Sequence, residues 1–595
     1  RAAAAHVLGV PVRPLAEVID ELPAVLEGSR ELYAACEAVV GTQAEALAAL
    51  PVPLANGRVV RGVRGTVLVG SALLYRLEVA TVRALAEWGV RVVDPAAAHP
   101  VLERLGAVVA DAAGLATHPA VRSAVLDRQE DPQDEVGEVA AAVLDLVAAV
   151  LDDDPSRSLP AWLGLVELPA VDGEPTPAHG LVLAGSAAHD LFDARVLAAV
   201  TGSMVERYGE RVLVAVGVRA APVVVRVPDV VADPAAVDLD GDGDGALVAS
   251  TLDGWGDYLA ELGERLGAGA WVGDLDAVAD LDAVAPDAWP RLLAALGADR
   301  GLRDALVDPV RGEQAARAPS YTTWWLRTRA GLGLDRPFAL TDGVLPGILP
   351  PAPELLADAD EQVRRALGGI GSAGELDLDD WADLLEPLRG HLLELPAAVQ
   401  VWRALAGLAR TGTRHGGLPS ELPGLLGPDG ARRPRTPPGP GEGHRGDQVR
   451  VVAADVVVVP DSPMWLQRAD LGPMLPCPVG DAVALAAMLD LPLASELADG
   501  RIEGPGLRQA LPTRIAVGQP GDQVREWVEH DVLRVDGAPV DWWVDTDGVP
   551  HAVHLAGLAC ALAQRAGRWS DRWALEAVMV DPARADELGL DQALG

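Results

Sequence analysis

Residues 56–65, NGRVVRGVRG, place three glycines and three arginines within ten positions of a strongly acidic chain. Such a stretch has the parts of an anion cradle, because glycine lets backbone N–H groups converge on a phosphate and guanidinium groups neutralise it. It also has the parts of a β-hairpin, since Asn56-Gly57 is a pair that tight turns favour. A second stretch, DLDGDG at 238–243, has the spacing of a calcium loop. Asp238, Asp240 and Asp242 fit positions 1, 3 and 5 and Gly243 fits position 6, but position 12, which needs a bidentate glutamate, is Ala249. A solvated acidic linker is the expectation there. His551 and His554, with Cys560 beyond them, have ligand chemistry, yet no second cysteine or close carboxylate completes four ligands, so satisfied polar groups are expected. His415-Gly416-Gly417 has the form of an oxyanion loop, but the chain has no GxSxG elbow and no HExxH. DWWVD at 541–545 sets carboxylates around Trp542 and Trp543. Strand alternation puts Asp541, Trp543 and Asp545 on one face and Trp542 and Val544 on the other, as an amphipathic strand or a surface for a partner peptide. No residue is assigned to catalysis, cofactor binding or metal binding.

Composition removes further chemistries. All 48 basic residues are arginine, so a Walker A lysine, a Schiff base and a kinase-type ATP lysine are excluded. The 87 acidic side chains leave a formal charge of −39, which argues against nucleic-acid or anionic-membrane partners. Cys36, Cys477 and Cys560 are too few and too far apart for a disulfide framework, and a reducing cytoplasm is the expected compartment. The longest apolar run, VAAAVLDLVAAVL at 139–151, is interrupted by Asp145 and reads as a buried helix. The chain begins at Arg1 inside helix-like sequence, which suggests a piece of a longer protein.

The elements that would position these residues read as α/β and α+β, in several domains. GTVLVGSA at 65–72 returns as GLVLAGSA at 180–187. A proline-flanked turn precedes each copy, and a helical stretch and a valine-rich strand (WGVRVVD at 88–94, YGERVLVAVGV at 208–218) follow it. Residues 1–120 and 121–230 therefore read as two copies of one α/β module. The second copy lacks the arginines of the first, which favours the hairpin over the anion cradle. An acidic linker is expected at 231–256, and a mainly helical region at 257–415. Within that region Trp324 and Trp325 read as core or interface anchors rather than a ligand cage. Residues 416–448, rich in proline and glycine, read as a disordered linker. Residues 449–595 read as a C-terminal α/β domain with a buried strand, a helix at 481–490 capped by Asp481, and a three-stranded meander at 532–553.

Several phrases together resemble a bacterial family: LPVPLANGRVVRGVRGTVLV, GVRVVDPAAAHPVLERLGAV, SYTTWWLR, DSPMWLQRADLGPMLPCP and DGVPHAVHLAGLACALAQRAGRW. They are similar to the region downstream of the ATPase in proteins with a sacsin N-terminal ATP-binding-like domain. These belong to the GHKL superfamily and are distant relatives of the ninety-kilodalton heat-shock chaperones. The family's nucleotide site uses a Glu-x-x-x-Asn helix and an Asp-x-Gly-x-Gly loop. Neither transfers, because the single asparagine, Asn56, has Val52 four positions before it and no such loop exists here. The resemblance thus implies a non-catalytic middle and C-terminal region with no cofactor of its own. Mg-ATP would belong to an N-terminal domain of the parent protein, and protein clients or self-association would be the partners. A stand-alone interaction scaffold is the alternative, and an enzyme with a hidden carboxylate site is a third reading.

Overall fold

The computed structural model describes residues 13–23, 27–130, 136–236, 244–312, 316–412, 417–426, 448–511 and 524–584. It mixes helices with many small sheets, and the chain divides into two compact units. The first holds Arg1–Asp335 and Leu355–Leu367, the second Arg336–Glu354 and Gly368–Gly595. The region read as one helical block, 257–415, is therefore shared between them.

In the first unit, β1 (Pro51–Pro53) and β2 (Val59–Arg61) form an antiparallel hairpin. Its turn carries a positive φ only at Gly57 (79°), and Asn56 Oδ1 accepts the Arg58 N–H. Arg61 donates to the carbonyls of Ile19 and Leu22, so this guanidinium ties the hairpin to the preceding helical segment. β3 (Thr66–Val69) then runs parallel to β4 (Arg91–Val92) on one side and β5 (Val108–Ala110) on the other. Next come a second hairpin, β6 (Glu167–Pro169) with β7 (Pro175–Pro177), and β8 (Leu181–Val182) parallel to β9 (Ala198–Ala199). Val182 also bridges Arg219 in parallel. Leu54 bridges Val93, and Ala170 bridges Val200, both antiparallel.

Residues 210–215, expected in a valine-rich strand, are instead a helix, Glu210–Ala215. Val212, Leu213 and Val216 are buried while Arg211 and Val214 are exposed, which is helical rather than alternating spacing. The apolar run at 139–151 lies in the helix Val136–Asp153, as expected. One core gathers around it, drawing Val67, Leu85 and Leu115 from the first segment and Leu168, Leu181 and Leu213 from the second. Asp145, which interrupts the run, accepts the Glu78 N–H at 2.8 Å, at the start of the helix Val79–Glu87. An isolated polar residue in a buried helix thus meets an orphan helix-terminal donor.

β10 (Val224–Val231) pairs antiparallel with β11 (Trp271–Val278). The acidic linker expected at 231–256 is in part a helix, Asp244–Ser250, followed by buried Leu252 and Trp255. The correction has a simple cause, since Leu247, Ala249 and Leu252 supply apolar residues enough to dock. Asp238, Asp240, Asp242 and Gly243 lie outside the described residues, as do His415 and Gly416. The first unit continues with the short pair β12 (Val310–Arg311) and β13 (Arg317–Ala318) and the helices Trp255–Leu266, Trp289–Ala298, Arg300–Val307 and Tyr321–Thr328.

The second unit opens with a parallel contact between β14 (Phe338–Ala339) and β15 (Gly369–Ile370). Its main sheet has the order β16 (Leu392–Leu393), β18 (Gln448–Ala453), β17 (Glu421–Leu426). This corrects the expected disordered linker at 416–448, because residues 421–426 form a paired strand; residues 427–447 lie outside the described set. It also corrects the expected break before 449. Val449 and Val451 share one core with Val401, Trp402, Leu405 and Leu422, and the Trp402 indole donates to the Pro423 carbonyl at 2.7 Å. The helix Ala482–Leu489 forms as expected, but Asp481 makes no side-chain cap.

The C-terminal meander is instead divided over two sheets. One has the order β19 (Ile502–Glu503), β22 (Leu533–Val535), β23 (Ala538–Val540). The other runs β20 (Leu507–Ala510), β21 (Glu526–Glu529), β25 (Pro550–Ala552), β24 (Trp542–Val544). Asp536 and Gly537 both have positive φ, as a two-residue hairpin loop of this twist requires. No helix of the described residues is long and apolar enough to cross a membrane.

Candidate functional site

Among the described residues, two polar constellations gather residues singled out from the sequence. The first surrounds the tryptophan pair. Ser320 opens the helix Tyr321–Thr328 by accepting the Thr323 N–H, while its own hydroxyl donates to Leu306 O at 2.6 Å. Tyr321, Trp324 and Trp325, at i, i+3 and i+4, all face inward and are buried. Tyr258 packs edge-on against Tyr321 at 5.5 Å and lies 5.3 Å from Trp324, while Trp325 stacks on Trp289 at 6.2 Å. The polar tips are taken up internally. Tyr258 donates to Pro319 O, Tyr321 to Asp253 O, and the Trp325 indole to the Asp253 carboxylate at 2.9 Å. Arg329 adds bonds of 2.9 and 2.7 Å to Asp253 and Asp257. Burial pushes both phenols well above their ordinary range, so they stay protonated and keep the hydrogens they donate. Burial also raises Asp282, with the nearby Asp253 and Asp280 adding to it; Asp280 itself pairs with Arg219 at 2.7 Å. Rings that fill one another's space, with Tyr258, Tyr321 and Trp325 spending their donors inside the cluster, anchor helices rather than cage a ligand. Trp325→Phe, which loses one hydrogen bond, is expected to cost about 1 kcal/mol, and Trp325→Ala about 3–5 kcal/mol, in urea unfolding. Equal, small losses would contradict the anchoring role.

The second constellation lies in the sheet β20-β21-β25-β24. The expected amphipathic strand at 541–545 is shorter, Trp542–Val544, and carries a buried tryptophan on each face, while Asp541 and Asp545 flank it half-buried. Trp542 meets Trp569 at 5.6 Å, and Trp543 meets Trp465 edge-on at 4.9 Å. Both indoles are buried, in separate cores. β24 is an edge strand, and Gln467 occupies its outer side. The Gln467 carbonyl accepts the Asp541 N–H and its amide donates to Trp542 O, both at 2.9 Å.

The three residues weighed as metal ligands are drawn apart. His554 caps the helix Leu555–Arg565, its Nδ1 accepting the Gly557 N–H at 2.9 Å. Cys560 sits within that helix beside the core of Trp527 and Trp542. Burial pushes the Cys477 thiol up to about 11, in a different core. Among the described residues, no group of three histidines, cysteines or carboxylates is placed to hold a metal.

His551 instead belongs to a chain. Its Nε2 lies 3.3 Å from Asp545 Oδ2 and its Nδ1 lies 2.9 Å from His530 Nε2. His530 Nδ1 in turn lies 3.0 Å from the Pro505 carbonyl. His530 was not singled out from the sequence. It follows strand β21 with no local motif, and only the parallel pairing of Val528 with His551 brings the two rings together across 21 positions. Burial pushes both imidazoles below their ordinary value, while Asp545 pulls His551 back up.

Comparison with family models found no match, and neither curated proteins nor solved structures gave a similar chain.

Proposed function

We propose that this chain is the non-catalytic middle and C-terminal region of a sacsin-like, chaperone-like GHKL ATPase. It would engage protein clients, relay nucleotide state or self-associate, with Mg-ATP held by a domain outside this chain. The observation that carries the reading is the matched order of pairing in the two N-terminal segments. Each has a hairpin, then a strand paired in parallel with two later segments, and an antiparallel bridge from the hairpin (Leu54 to Val93, Ala170 to Val200). This supports two copies of one α/β module, which repeated modules of sacsin-like proteins would supply. Surface chemistry fits a binding role. Tyr75 and Val79 lie almost fully in water, and Val108 and Val109 are exposed on strand β5.

Calorimetric titration of the chain with Mg-ATP is expected to give no saturable heat, since the lysine, the Glu-x-x-x-Asn helix and the Asp-x-Gly-x-Gly loop are all missing. Micromolar affinity would sink the assignment. A coding sequence upstream of Arg1 without a Bergerat-fold domain would turn the reading toward a stand-alone scaffold.

A further inference from the structure

The chain of Asp545, His551, His530 and Pro505 ends on an acceptor at both sides. A backbone carbonyl can only accept, so His530 Nδ1 carries a proton. A neutral His530 then has a bare Nε2, which takes its hydrogen from His551 Nδ1. A neutral His551 is left with a bare Nε2 facing a carboxylate oxygen, acceptor against acceptor. Two protons on four ring nitrogens therefore make two of the three bonds. The contact left without a proton is the longest of the three, 3.3 Å against 2.9 and 3.0 Å. A third proton on His551 Nε2 completes the chain as an imidazolium–carboxylate pair. A fourth has nowhere to go, because it would set two N–H groups against each other across 2.9 Å.

We propose that His530 and His551 form a single-proton site, which takes up one proton at His551 Nε2 against Asp545 and refuses a second while the fold persists. The neighbours act on this proton in opposite directions. Arg508, on β20, acts against charge on His551, and Asp545 acts for it. Glu529, next to His530, is engaged by Gln509 at 3.0 Å. Arg565, from the helix Leu555–Arg565, donates to the Gly548 carbonyl in the turn that carries Asp545. Asp545 Oδ1 meanwhile accepts the N–H groups of Asp547 and Val549, which fixes its free oxygen toward His551. The site therefore couples one proton to the β24–β25 turn.

The sign follows from the count. Both folded-state values lie below the unfolded value of about 6.5, so the neutral pair favours folding fully above that pH. As pH falls, the unfolded chain binds two protons and the folded pair at most one. The folding equilibrium then falls by up to tenfold per pH unit for each proton of difference. The experiment is a pH titration of the whole chain labelled with nitrogen-15 in histidine, with His530→Gln and His551→Gln used to assign the rings. His551 Nε2 is expected to move to the protonated position while His530 Nε2 stays bare until unfolding. Asp545→Asn, whose amide can donate to His551 Nε2, is expected to abolish proton uptake by the folded chain. The proposal is overturned by full protonation of both rings in the folded chain, by no change at His551 before unfolding, or by an Asp545→Asn chain that titrates like the parent.

Discussion

A fragment beginning at Val449 is expected not to fold on its own. Its first strand, β18, would lose both neighbours at once, since β16 and β17 lie before the cut. The core facing that strand would lose Val401, Trp402, Leu405 and Leu422, and Val449, Val451, Val457 and Leu485 would be uncovered. At about 1.5–3 kcal/mol for each fully buried aliphatic side chain, exposing even these four approaches the whole stability of an ordinary domain, about 5–15 kcal/mol. Circular dichroism and thermal melting of residues 449–595 are expected to show no cooperative transition, in contrast to a fragment that begins at Arg336. A sharp melt of the shorter fragment would show that β18 belongs to a separate domain.

Replacing Arg468 by methionine is expected to cost about 3 kcal/mol. Arg468 is 2% exposed, and its guanidinium grips the Asp470 carboxylate with two bonds of 2.8 and 2.9 Å, while its third nitrogen reaches Asp536 at 2.9 Å. Asp536 also accepts the N–H groups of Gly500 and Arg501, so one carboxylate joins the β22–β23 hairpin to two other segments. Burial raises Asp536, but the Arg501 N–H, Arg468 and the Gly500 N–H outweigh it and hold the group below its usual value. Methionine conserves much of the volume and leaves Asp536 without its cation. The figure is placed at the low end for a broken buried pair because Asp470 is half exposed. Arg468→Lys restores charge without the fork and is expected to recover only part of the loss. A change within about 0.5 kcal/mol for Arg468→Met in urea unfolding would place this cluster among ordinary surface contacts.

What could be read from the sequence follows from how locally each element is specified. The helices Trp255–Leu266 and Leu395–Thr411 carry their apolar residues at helical spacing and were legible, as was the turn at Asn56-Gly57. The valines at 212, 214 and 216 suited a strand by residue type and by alternation, and only a distant core, which buries Val212, Leu213 and Val216 and leaves Val214 in water, makes the segment a helix. Strand Glu421–Leu426 was hidden because a proline and a glycine stand inside it. Gly424 is required there, since a Cβ would lie 2.5 Å from Pro473, and Pro423 offers its carbonyl to Trp402. Trp542 and Trp543 were legible as a strand, but not the second core that covers its other face. The His530–His551 contact left no local trace, because it depends on a parallel pairing.

The main sheet of the second unit also sets a timetable for synthesis. Its central strand, β18, is the last of the three to be translated, 21 residues after β17 ends. At roughly 5–20 residues per second, the ribosome takes about 1–4 s to supply it. Until it follows, β16 and β17 exist without the strand that joins them, and the indole of Trp402 and the side chain of Leu422 lack Val449, Val451 and the later members of their core.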